Sequence, residues 1–161
     1  MLQAAAEIMT ESENTFPSGL LSKPIFLDMD ASAWGTWDGR LKLKSAGEAL
    51  VAEFSNTGLY KYLYYTLTGP IDFQKVIFSL NLRFDEAAAA SGHRVIFFNS
   101  LGDSWVSADK NVENNEADSE VIYSCTGFTQ SAAPGQKFKI GLVFSASAGS
   151  VVVKDARLLM A

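Results

Sequence analysis

The chain has 161 residues, 48% hydrophobic and 12% aromatic, enough apolar material for one domain with a sizeable core. That composition excludes a disordered or fibrous chain. The net charge of −5 comes from 13 basic and 18 acidic side chains, the basic ones scattered singly or in alternation. A nucleic-acid binder needs a basic stripe to neutralise phosphates, so that class of partner is not expected.

Residues 1–24 read as a short N-terminal arm: an Ala-rich patch at Gln3–Met9, then a polar stretch punctuated by Pro17, Gly19 and Pro24. The first fifteen residues hold no Lys or Arg and no apolar run follows them, which is not the pattern of a signal peptide. No stretch approaches the ~18–20 apolar residues that a membrane span needs. A soluble chain that begins at its own Met1 is expected.

From residue 25 to 161 the sequence reads as one run of strands. Ile25–Met29 comes first, followed by a Trp-bearing segment, Trp34-Gly35-Thr36-Trp37-Asp38-Gly39, that reads as loop. Leu41 and Leu43 alternate with Lys42 and Lys44, and Glu48–Phe54 and Leu59–Leu67 are further strands. Phe78, Leu80, Leu82 and Phe84 alternate with Ser79, Asn81, Arg83 and Asp85, the clearest period of two in the chain. Glu86–Ser91 predicts a turn of helix or a loose connection, and His93–Asn99 the next strand. Ser100–Ser119 is polar and reads as an excursion at one end of the fold. Glu120–Phe128, Lys137–Phe144 and Ser150–Leu159 complete the set, with turns at Ser45–Gly47, Asn56–Gly58, Thr68–Pro70, Ala133–Gly135 and Ala148–Gly149. Short strands with one apolar face at nearly regular spacing predict an all-β fold, an antiparallel jelly-roll β-sandwich.

The order of these elements, and above all the closing Val153-Lys154-Asp155-Ala156-Arg157-Leu158, resembles the galactose-binding-like jelly roll of many carbohydrate-binding modules. The resemblance covers roughly Ile25 to Met160. It implies a fold that is mostly non-catalytic and often binds sugars, and similar jelly rolls serve as structural parts of virus particles. Fold alone does not choose between these uses. Some members of that family hold a structural calcium between the first and last strands, which makes Asp28, Asp30 and Asp155 the candidate metal ligands. The alternative is that they are surface and turn carboxylates.

Catalysis is not expected. A lone His93 and a lone Cys125 supply no nucleophile-base pair, no closed zinc set and no disulfide. No other cofactor is called for. The candidate binding residues are aromatic. In a strand, Tyr60, Tyr62 and Tyr64 share one face, with Leu59, Leu63, Tyr65 and Leu67 toward the core. A tyrosine stripe can stack on sugar rings, pack on a neighbouring subunit or lie beneath the chain's own leader. Trp37 and Trp105, in apparent loops like Trp34, either join that surface or plug the ends of the sandwich.

Two functions follow as expectations. The first is a non-catalytic structural or assembly protein, a small virion component such as a phage decoration, tail or adaptor protein. It would be assembled in the host cytoplasm, as a homo-oligomer or with other structural subunits. Its basis is that the chain reads as complete, with no secretion signal and no catalytic domain for a sugar-binding module to serve, and that its polar leader, Met1–Leu20, looks like an arm that orders on a neighbour. The alternative is a carbohydrate-binding module that recognises a glycan through its surface aromatics.

Overall fold

The computed structural model describes residues 24–37, 39–56, 60–91, 94–101, 104–113 and 117–160, with the side chains of 71–76, 94, 101, 104–113, 126–131 and 160 excepted. The expected N-terminal arm, apart from Pro24, lies outside these residues, and so does His93.

The strands are β1 (Ile25–Phe26), β2 (Trp34–Thr36), β3 (Leu41–Ala46), β4 (Ala49–Phe54), β5 (Lys61–Thr68) and β6 (Ile71–Phe84), then, after a short helix α1 (Glu86–Ala90), β7 (Arg94–Leu101), β8 (Ser104–Glu113), β9 (Glu120–Ala132), β10 (Lys137–Phe144) and β11 (Ser150–Met160). They form two antiparallel sheets. One runs β3-β4-β11-β6-β9, with β1 also on β11, and the other runs β2-β5-β10-β7-β8. This is the β-sandwich that the alternating strands predict.

The core lies between the sheets. Phe78, Leu80, Leu82 and Phe84 of β6 face Leu63, Phe97, Ile140, Leu142 and Phe144 of the second sheet, all buried. Rings cross the gap at two places. Phe78 meets Phe97 edge-on with centroids 5.7 Å apart, and Phe144 stands edge-on to Phe54 at 5.3 Å and to Phe84 at 6.1 Å. Cys125 is buried on β9, behaving as a small strand side chain.

Asp85 ties the helix to the closing strand. Its Oδ1 accepts from the Ala88 amide at 2.8 Å, capping α1, while Oδ2 accepts from the Ser150 amide at 3.0 Å and the Ser150 hydroxyl at 3.1 Å. Gly149 beside it has φ +77, and a Cβ there would run into Asp85 and the backbone of Ala88, so this turn requires glycine.

Three sequence expectations are corrected. The first strand is two residues long, because at Leu27–Met29 the chain leaves β11 and turns toward a 3₁₀ turn at Ala31–Ala33. Trp34–Thr36 is a strand rather than a loop, an edge strand paired with Tyr65–Leu63 of β5. The polar excursion after Ser100 contains β8, which hairpins back on β7 as the edge of its sheet. Edge strands tolerate polar sequence, so its composition hid it.

Candidate functional site

The outer face of the second sheet gathers the aromatic residues. Alternation along β5 turns Lys61, Leu63 and Tyr65 inward and Tyr62 and Tyr64 outward. Across the sheet, Tyr62 lies opposite Val143 and Tyr64 opposite Gly141, whose partners on β7 are Ile96 and Phe98. Trp37 follows β2 and folds over the same face. Its ring stands edge-on to Tyr62 with centroids 5.2 Å apart at 80°, and to Tyr64 at 6.0 Å and 63°. Tyr62 in turn meets Phe98 at 5.8 Å and 81°.

This face has a buried layer and an open one. Phe98 and Val143 point away from the core yet are 2% and 7% exposed, whereas Trp37 is 36% exposed and Tyr62 and Tyr64 are half-buried. Two glycines make room for the arrangement. The ring of Tyr64 lies on Gly35, and a Cβ on Gly141 would strike the β5 backbone at Leu63 and Tyr64. Lys139, outward on β10, holds its ammonium 5.1 Å from the Tyr64 ring centroid and 5.9 Å from that of Trp37, within the range of a cation–π contact.

The structure thus brings together Trp37, Tyr62 and Tyr64 from among the expected binding residues. Tyr60 precedes β5 and is 46% exposed, and its carbonyl accepts from Arg40 Nη1 at 3.1 Å. Trp105 lies on β8, opposite Ser100 in the register, and its side chain is outside the described residues. Trp34 plugs the core instead, buried, with its indole N–H donating to the Asp28 carbonyl at 2.7 Å and its ring edge-on to Tyr65.

The other sheet carries polar groups. Asn81 Nδ2 donates to Glu120 at 2.8 Å and to Asp155 at 3.1 Å, and Lys154 lies 3.5 Å from Glu120. The Asn81 amide, with help from the Lys154 and Arg83 charges, holds the Glu120 carboxyl below its ordinary value. Asp155 sits at a bulge, where three steps along β11 from Lys154 to Arg157 match two along β6 from Asn81 to Ser79, and it takes the left-handed φ of 54°.

Asp28, Asp30 and Asp155 line one open pocket of about 410 Å³. Among the described residues no three of His, Cys, Asp and Glu come together to hold a metal ion. Each carboxylate accepts a hydrogen bond from within the protein. Asp28 accepts from the Asp30 amide at 3.0 Å, Asp30 from the Ser32 amide at 3.1 Å and the Ser45 hydroxyl at 2.9 Å, and Asp155 from Asn81. The Ser32 amide, then the Ser45 hydroxyl, keep the Asp30 carboxyl below its ordinary value.

No known family profile and no curated protein matches the sequence. Solved structures do. A xylan-binding module, CBM15, shares 18% identity over 86% of this chain and 97% of its own, with a TM-score of 0.69. The chain shares the jelly-roll fold of that module. Xylanase10C from Cellvibrio japonicus, solved with xylopentaose, is similar at 15% identity over 85% of this chain with a TM-score of 0.68, and the chain spans 28% of that protein. The CBM22-1 xylan-binding domain of Paenibacillus barcinonensis Xyn10C is similar at 11% identity over 87% of this chain and 94% of its own, with a TM-score of 0.62.

These matches overturn the first functional expectation. The likeness is chiefly to carbohydrate-binding modules; a bacteriophage CBA120 tailspike domain matches less closely, at a TM-score of 0.54 and 8% identity. The polar leader, one of the grounds for the virion reading, lies outside the described residues. No helix among the described residues is long and apolar enough to cross a membrane.

Proposed function

We propose that this chain is a glycan-binding module whose binding face is the outer side of the β2-β5-β10-β7-β8 sheet, with Trp37, Tyr62 and Tyr64 as its platform. The observation that carries the reading is the convergence of those three rings over one face, each with apolar area to stack on a sugar, and two with a hydroxyl for its edge. The xylan-binding neighbours support the ligand class. The rings meet at 63° to 80° and so share no plane, which favours a single polysaccharide chain over a flat crystalline surface. Among the described side chains this face offers rings, hydroxyls and ammonium groups, where glycoside hydrolysis needs two placed carboxyls. Binding without cleavage is the role that fits.

Affinity electrophoresis through soluble xylan, mannan and mixed-linkage glucan tests this. Retardation by at least one polymer is expected, weakened about tenfold by Tyr64→Ala or Trp37→Ala and little changed by Tyr60→Ala. Free migration through every polymer of a broad panel, acidic ones included, would overturn the reading.

A further inference from the structure

Among the described side chains, the charge on the aromatic face runs against the charge of the chain. The protein carries a net −5, yet the only ionised side chains described on this face are Lys137 and Lys139. They are two residues apart on β10 and so point the same way, roughly 7 Å from one another along the strand. Lys137 Nζ has the Thr68 hydroxyl at 3.4 Å, and Lys139 Nζ has the Tyr64 and Trp37 rings. Neither makes an ion pair with a described carboxylate, although Lys154 on the opposite sheet does, with Glu120.

Lys139 is half-buried, and an ammonium held over two rings gives up part of its hydration. Rings satisfy it poorly, since a cation–π contact leaves its N–H donors without oxygen acceptors. A neutral sugar stacking on Trp37 or Tyr64 must also displace the ammonium from the ring it covers. A sugar bearing a carboxylate restores what it displaces, because its ring takes the aromatic face while its carboxylate accepts a charge-assisted hydrogen bond from the same lysine.

We propose that the face selects an acidic glycan, one whose residues include uronic acids, with Lys139 as the specificity-determining residue and Lys137 as a second contact one sugar along. This rests on the glycan-binding reading above and names the class of glycan. The platform stacks any pyranose, and the two lysines make the carboxylated ones bind tighter. Because the interaction is between charges at a partly exposed site, it weakens with salt.

The test uses paired polymers: glucuronoxylan, polygalacturonate and alginate, each beside its carboxyl-reduced form, with titration calorimetry on the full chain. The expected result is that reduction weakens the best-bound polymer about tenfold in the wild type and hardly at all in Lys139→Met. Lys154→Met on the opposite sheet serves as the control and keeps the wild-type ratio. Equal binding of native and reduced polymer, or a preference that survives Lys139→Met, overturns the assignment and leaves the glycan-binding reading standing. No binding to any polymer, neutral or acidic, removes both.

Discussion

The ring of Tyr64 rests on Gly35 so closely that a Cβ at residue 35 would stand 2.5 Å from its Cζ and 2.7 Å from its hydroxyl oxygen. The edge strand β2 thus acts as the bed on which a binding ring lies. Gly35→Ala should push the far end of that ring aside while leaving the backbone pairing intact. We expect a stability loss of about 1 kcal/mol by thermal unfolding, with glycan affinity falling nearly as far as in Tyr64→Ala. A variant that binds like wild type would show that the pose of Tyr64 is unimportant.

Lys61 is wholly buried, and burial, with the Arg40 charge, lowers its ammonium pKa below the ordinary 10.5. In the interval between the lowered folded value and 10.5 the unfolded chain binds more protons than the folded one. The penalty for holding the charge is therefore full at lower pH and is relieved as pH rises through that interval. Its slope is at most about 1.4 kcal/mol per pH unit. Urea unfolding from pH 7 upward should show this rise in the wild type relative to Lys61→Met, and parallel curves would exclude it.

Phe144 joins the sheets through Phe54 and Phe84, with no exposed surface. Phe144→Ala leaves a cavity in a rigid layer and should cost about 3–5 kcal/mol in chemical unfolding. A loss under about 1 kcal/mol would mean that the layer collapses to fill the space.

Asp85 serves three donors on two elements. Asp85→Ala removes the cap of α1 and both bonds to Ser150, an expected loss of about 2–3 kcal/mol, while Ser150→Ala, which deletes only the hydroxyl, should cost about 1 kcal/mol. Equal losses in the two variants, measured by denaturant midpoint at constant slope, would contradict this account.

Much of the fold is legible in the amino-acid pattern alone. The period of two at Phe78–Phe84 and Phe138–Phe144 marks strands with one dry face, and the same rule turns Tyr62 and Tyr64 outward together. What stays hidden depends on neighbours distant in sequence. Position 61 has the parity of Leu63 and Tyr65, but a lysine there does not announce a core residue. Phe97 and Phe98 are equally apolar, so nothing in the doublet says that one meets Phe78 across the core and the other Tyr62 outside it. Lys137 and Lys139 alternate with Phe138 and Ile140, which is enough to put them on the outer face of β10. That Lys139 lies over Trp37 follows only from how the chain leaves β2, which no local pattern records.

The pairing of Ile25 with Leu158 brings the first and last strands side by side on the β3-β4-β11-β6-β9 sheet. Ile25 and Leu158 therefore both stand on the layer opposite the rings, about 10 Å away through the core. A bead or a sensor chip attached at Pro24 itself would hold the molecule by its back and leave Trp37, Tyr62 and Tyr64 facing the solution.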